Sequence, residues 1–130
     1  MVGTAPFEAP HAEGVAALCA ELGWTTYADP GVAVRGMLAP GVVTRVALDG
    51  DRVVGFAQAC GDGLVQSFLA QLAVSAAYRH RGIARRLVEE VLAATGTQRM
   101  DLLTDHAQDF YASFAHRRKD GFRIYPGLPG

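Results

Sequence analysis

No proline occurs between Gly41 and Tyr125, and that stretch limits the fold more than any other feature of the chain. Proline removes a backbone donor and breaks ladders and helices. A run this long without it can hold a continuous sheet and a full helix. All six prolines (Pro6, Pro10, Pro30, Pro40, Pro126 and Pro129) lie outside it. Inside it, polarity first alternates with period two. Val42, Thr44, Val46 and Leu48 interleave with Val43, Arg45 and Ala47, Asp49-Gly50 marks a hairpin, and a second strand follows over Arg52–Cys60. Gly61-Asp62-Gly63 turns into a third strand over Leu64–Ser75, completing an antiparallel meander. That third segment exceeds the usual ~5–6 residues. A bulge, or a splay from its neighbour, is therefore expected in it.

The period then becomes helical. Ile83, Leu87 and Val91, with Ala84, Val88 and Leu92, form an apolar stripe that Thr95-Gly96 ends. A short strand is expected at Arg99–Thr104. Strand, helix, strand in that order implies a right-handed crossover and parallel pairing. A last helix over His106–Phe114 and a closing strand over Gly121–Tyr125 complete the reading. Before the proline-free stretch, Val15, Leu18, Cys19 and Leu22 share one face of a helix that begins near His11 and stops at Gly23. A shorter helix follows Asp29-Pro30, where Asp suits the cap and Pro the first turn. The fold class is α/β: one domain over residues 1–130, with a mixed, mostly antiparallel sheet flanked by helices.

Composition removes several function classes. The 130 residues are 50% hydrophobic and 19% charged, which suits one buried core, and the net charge of -1 gives no overall pull toward nucleic acid or membrane. No apolar run approaches the ~20 residues of a membrane span, and the start lacks the pattern of a signal peptide. Cys19 and Cys60 read as reduced thiols of a cytoplasmic protein. The four His and two Cys show no ligand spacing, so no metal site is expected. None of the serines lies in a G-x-S-x-G elbow.

Charge placement is more informative than net charge. Four of the eleven arginines (Arg79, Arg81, Arg85 and Arg86) surround the start of the Ile83 helix. A cation there opposes the helix dipole by roughly 0.3–1 kcal/mol, while the free N–H groups of the first turn call for an anion. Gly82 and Ala84 keep the approach open. The alternative is a solvated face on which Arg85 and Arg86 pair with Glu89 and Glu90 at i,i+4. Neither a Walker loop nor a dinucleotide fingerprint is present.

The segment LAVSAAYRHRGIARRLVEEVL, with its Arg79-x-x-Gly82-x-Ala84 core, resembles the acetyl-CoA-binding segment of the GNAT-superfamily N-acetyltransferases. The likeness runs from about Val42 to Tyr111 and more loosely over the N-terminal helices. It implies the acyl-CoA N-acyltransferase fold and acetyl-CoA as cosubstrate. The loop of Arg79, His80, Arg81, Gly82, Ile83, Ala84 and Arg85 would hold the pyrophosphate, His80 standing where the family most often has Gly. Leu72, Ala73 and Val74 would offer backbone to the pantetheine arm. Asp109-Phe110-Tyr111 matches the Phe-Tyr of the family's late helix, which makes Tyr111 the candidate general acid for the departing thiolate. The chain departs from the family in having Thr104 where Asn is frequent, and Ala115-His116 where Gly-Phe often follows.

The attacking amine must be neutral. Asp105, His106 or a water chain are the candidates for its base, and N-cap of the last helix is the alternative role for Asp105. By the resemblance Trp24 and Tyr27 border the acceptor pocket; the alternative is that they pack in the core or as a lid. The implied reaction is direct attack by a primary amine of a small molecule or peptide in a ternary complex, and a homodimer is compatible with the family. Two other readings stay open. One is a CoA-binding sensor without catalysis on the same fold. The other is a nucleic-acid module using Arg79–Arg86 with Arg117–Arg123.

Overall fold

The structure, a computed structural model, describes residues 1–128. Its elements in chain order are β1 (Val2–Pro6), α1 (Ala12–Glu21), α2 (Pro30–Met37), β2 (Val42–Asp49), β3 (Arg52–Gly61), β4 (Gln66–Val74), α3 (Ile83–Thr95), β5 (Arg99–Asp101) and α4 (Gln108–Ala112). The five strands form one sheet in sequence order. β1 through β4 are antiparallel neighbours, and β5 lies parallel to β4. The right-handed crossover through α3 follows from that parallel pairing. Among the described residues no helix is long and apolar enough to cross a membrane.

Two apolar clusters cover the two faces of the sheet. Val15, Leu18 and Cys19 of α1 and Ala33 and Met37 of α2 pack with Val46, Phe56 and Ala73. On the opposite face Ile83, Leu87, Val88 and Val91 of α3 pack with Ala47, Val54, Ala57, Leu69 and Val74. Phe56, Leu87, Val15 and Val91 are fully buried, each contributing about 1.5–3 kcal/mol on the scale of apolar burial. Both helices read from the stripe near His11 and from Asp29-Pro30 form. The Asp29 carboxylate accepts from the N–H groups of Gly31 and Val32 at 2.7 and 3.2 Å, as an N-cap should.

The third meander strand carries the expected irregularity. Gln58 pairs with Gln71 and Ala59 with Leu69, so Ala70 is an extra residue in β4. The insertion reverses parity. Leu69 before it and Leu72 and Val74 after it all reach the α3 cluster, which a regular strand would not allow.

Several boundaries differ from the sequence reading, each for a local reason. β4 starts at Gln66 rather than Leu64 because the Asp62 carboxylate takes the N–H groups of Leu64 and Val65, both at 2.8 Å. β5 ends at Asp101, short of Thr104, its last pairing being Phe68↔Asp101 although β4 runs on. The last helix covers only Gln108–Ala112. Thr104, not Asp105, supplies the side chain at its entry, accepting from Ala107 N–H at 3.0 Å. The closing strand over Gly121–Tyr125 does not form, and Phe122 and Ile124 are 87% and 88% exposed. A three-residue edge offers few ladder bonds against the ordering of five residues at ~1–2 kcal/mol each. β1, which the sequence left undefined, pairs with β2 from Val2↔Asp49 to Pro6↔Arg45.

A polar clamp ties β1 and β2 to α3. Thr4 Oγ1 donates to Glu90 at 2.9 Å, Arg45 Nε and Nη2 reach the same carboxylate at 3.0 and 2.9 Å, and Arg86 Nε reaches it at 2.9 Å. Burial pushes the Glu90 carboxyl upward, but the hydrogen bonds from Thr4, Arg86 and Arg45 outweigh it and hold it below its ordinary value. A carboxylate depressed by folding stabilises the fold above its unfolded value, and that contribution is lost as pH falls through the folded one. Glu90→Gln should therefore lower stability at neutral pH and flatten the decline below about pH 4, measured by urea titrations across pH. An unchanged acid limb would contradict the clamp.

Candidate active site

The site is built around the parting of two parallel strands. β5 pairs with β4 only at Gln66↔Arg99, Ser67↔Met100 and Phe68↔Asp101. β4 continues six residues further, to Val74, with β3 on one side and no strand on the other among the described residues. Leu72, Ala73 and Val74 lie on this unpaired stretch, with Ala73 and Val74 buried and Leu72 half-buried. Their backbone groups on the β5 side are thus available to an extended ligand entering the V-shaped opening.

At the end of the opening the chain turns into α3. Ser75 leaves β4, Ala76–Tyr78 make one 3-10 turn, and Arg79 is extended. His80 and Gly82 then take left-handed backbone conformations, with φ of 63° and 78°. A left-handed φ favours glycine, which accounts for the residue the family prefers at the position of His80. Gly82 is the N-cap of α3 and has no side chain to cap it. The first bond onto the helix is Arg86 N–H to Gly82 C=O at 3.1 Å. Among the described residues no group accepts from the N–H of His80 through Arg85. Space is available to them: apart from Gly82 and its chain neighbours, no described heavy atom lies within 4 Å of where a Gly82 Cβ would stand. A cleft of about 320 Å³ opens beside them, lined by Arg81, Gly82, Ile83 and Arg86 on one side and by Met1, Val2 and Thr4 of β1 and the acidic Asp49 of β2 on the other. A row of unpaired amides at a helix start is an anion site in form, so the residues present fit a diphosphate.

The arginines do not converge on that site. Arg79 Nε makes a long bond to the Val74 carbonyl at 3.4 Å. Arg81 stacks over Tyr78 at 4.9 Å and donates to Ala77 C=O at 3.2 Å. Arg86 pairs with Glu90, and Arg85 with Glu89 at 3.3 Å, the solvated-face pairing weighed from the sequence. Arg85 also donates to Ser113 Oγ at 2.6 Å and lies 3.9 Å over Phe114. The candidate anion site therefore consists of backbone N–H groups, and each of these guanidinium groups has a partner within the protein, although Arg81 and Arg86 still line the cleft.

Tyr111 sits on α4, half-buried against the α3 cluster that includes Leu72, Val74, Ile83 and Ala84. Phe110 and Phe114, both half-buried, flank it, Phe110 packing edge-on against the Tyr111 and Phe114 rings at 4.9 and 5.5 Å. Burial raises the Tyr111 phenol above its ordinary value, keeping it protonated. Asp105 and His106 are exposed beyond the end of β5. Trp24 is 36% exposed, whereas Tyr27 is a packing residue whose hydroxyl accepts from Gln58 at 3.1 Å.

Two anchors of the loop have no sequence signal. The Glu21 carboxylate at the end of α1 accepts from Ser75 Oγ at 2.9 Å and from Ala76 N–H at 3.3 Å, fixing the exit from β4. Tyr78 Oη donates to Asp49 at 2.5 Å. That bond lowers the Asp49 carboxyl and raises the Tyr78 phenol. Both links join residues far apart in sequence, so only the fold brings them together.

A family model described as the acetyltransferase (GNAT) domain matches residues 40–115, more than half of the chain. The chain belongs to the GNAT acetyltransferase family, whose members use acetyl-CoA. It is 45% identical over 64 residues to mycothiol acetyltransferases of Rhodococcus opacus and Rhodococcus jostii, a match covering 49% of this chain and 21% of theirs. The matched segment thus spans about a fifth of those relatives. A GNAT-family acetyltransferase from Streptococcus pneumoniae superposes with a TM-score of 0.76 at 27% identity, covering 97% of this chain and 99% of that one. The aminoglycoside acetyltransferase AAC(6')-Iy, solved with a bisubstrate analogue of CoA and monomethyl-acetylneamine, gives 0.78 at 18% identity, with 99% of each chain covered. The latter likeness shows the shared fold.

Gly82 offers a direct test of the loop geometry. A side chain at φ of 78° is strained, although the space around it is open. Gly82→Ala should destabilise by about 1 kcal/mol, and Gly3→Ala, in open space without a left-handed φ, should change stability much less. Chemical denaturation of the two variants reads the difference. Equal effects would contradict the assigned backbone.

Proposed function

We propose that this protein is an acetyl-CoA-dependent N-acetyltransferase that moves the acetyl group to a primary amine of a small molecule or peptide by direct attack in a ternary complex. The observation that carries this reading is the unpaired edge of β4 running into a loop of unpaired amides, at the segment that matches the family. In it the loop from Arg79 to Arg85 holds the pyrophosphate through the unpaired N–H groups of His80 to Arg85, the Arg79 N–H being bonded to Ala76 C=O at 3.5 Å, and the backbone of Leu72, Ala73 and Val74 orients the pantetheine arm. Acetyl-CoA supplies the thioester as cosubstrate.

Holding both reactants at one opening accounts for much of the acceleration without a covalent enzyme intermediate. Tyr111 Oη holds the proton that the departing sulfur takes. Its raised pKa suits that role, because the acid form is the working form. The incoming amine loses its proton through water, with Asp105 and His106 as the titratable side chains of the 102–107 loop. The names of the relatives favour small-molecule acceptors first: mycothiol acetyltransferases and aminoglycoside acetyltransferases.

Calorimetry with CoA, followed by an amine screen that reads released thiol, tests the reading. Binding with turnover of at least one amine is expected. Binding without turnover on any amine would favour the sensor, and no binding would remove both. Tyr111→Phe should lower kcat by about 10²–10³ and leave CoA affinity unchanged. The alkaline loss of rate that depends on Tyr111 should fall above ~10, the ordinary phenol value, because burial holds the proton on. A kcat unmoved by the substitution would reject Tyr111 as the acid.

A further inference from the structure

α4 carries Tyr111, yet little within the helix holds it. It has five residues, none of them buried, and Ala107 at its N-cap has no side-chain cap bond. A helix this short does not form alone in water. Three intrahelical and C-terminal bonds remain: Tyr111 N–H to Ala107 C=O, Ser113 N–H to Phe110 C=O and Phe114 N–H to Tyr111 C=O, at 3.1–3.2 Å.

The guanidinium of Arg85 supplies the external hold. Nη2 donates to Ser113 Oγ at 2.6 Å. Ser113 Oγ in turn donates to the Phe110 carbonyl at 2.5 Å, so its one proton and one lone pair are both used. The same guanidinium lies 3.9 Å over the Phe114 ring, and Phe114 meets Phe110 edge-on at 5.5 Å. Arg85 therefore holds Ser113 and Phe114 directly and reaches Phe110 through them, so its grip extends to both sides of Tyr111. Glu89 holds the guanidinium from its other end at 3.3 Å.

We propose that Arg85 is a positioning residue: its side chain fixes α4 to the first turn of α3 and thereby sets Tyr111 against the coenzyme loop, while its backbone N–H alone belongs to that loop. The inference rests on the reading of Tyr111 as the acid. It assigns the Arg85 side chain a task different from phosphate binding. A planar fork that stacks and donates at once is the property lysine lacks, so the two roles respond differently to Arg85→Lys. A lysine keeps the positive charge for a phosphate but loses the stack and the fixed donor to Ser113.

The experiment compares Arg85→Lys, Ser113→Ala and Tyr111→Phe. The measurements are CoA affinity by calorimetry, kcat and KM separately, and amide exchange of residues 111–114. Arg85→Lys should leave CoA affinity within about twofold and lower kcat by roughly tenfold, since a displacement of about 1 Å at a reacting group can remove up to ~10²-fold. Ser113→Ala, which changes no charge, should lower kcat in the same direction by a smaller factor. Both should speed exchange at 111–114. In a Tyr111→Phe background, Arg85→Lys should add less than about twofold, because residues acting through one group are not additive. A tenfold loss of CoA affinity in Arg85→Lys with saturated kcat intact would make the side chain a phosphate ligand and overturn the proposal. So would unchanged exchange at 111–114. If Tyr111→Phe alone leaves kcat intact, the acid reading fails, and faster exchange in Arg85→Lys and Ser113→Ala still decides whether Arg85 holds α4.

Discussion

β4 cannot stay paired on both edges along its whole length. β5 keeps to it for three residues and then leaves, while β3 follows it to Val74. The extra residue at Ala70 lets the strand bend away and still return Leu72 and Val74 to the α3 face. Without that insertion, the residues after it would point to the wrong layer. Everything at the candidate site depends on this divergence. The unpaired backbone, the position of the loop and the place where α4 can approach all follow from it.

The loop that follows is held at three points by residues distant in sequence. Glu21 fixes Ser75 and Ala76, Asp49 fixes Tyr78, and α3 is joined to β1 and β2 through Glu90. These are surface or half-buried interactions, individually modest. Together they define where β4 ends and where α3 begins. Between those points the backbone can adopt two left-handed residues, His80 and Gly82, separated only by Arg81. Strain of ~1–3 kcal/mol at such a residue persists only where the surroundings fix it.

Much of the fold was legible because its signals are local. The Asp49-Gly50 hairpin, the Asp29-Pro30 cap and the stripe from Ile83 to Leu92 each depend on neighbours within a few positions, and each appears as read. The length of the third strand even announced its bulge. β1 was missed because Val2–Pro6 contains a proline and little alternation, and it is stabilised by β2 and Glu90 rather than by its own composition. Gly121–Tyr125 erred in the opposite direction. Its composition suits a strand, but β5 is too short to receive it. At the site, Gly82 and the helix start were readable from pattern. The directions taken by the arginines were not, because Ser113, Phe114 and Val74 become their partners only in three dimensions.

A binding surface made of main-chain amides has an unusual tolerance. Exchanging a side chain around it leaves every donor where it was, provided the backbone keeps its course. Adding or deleting one residue between Val74 and Ile83 would instead re-aim the whole row. The row is thus a property of residue count and of the left-handed backbone at His80 and Gly82.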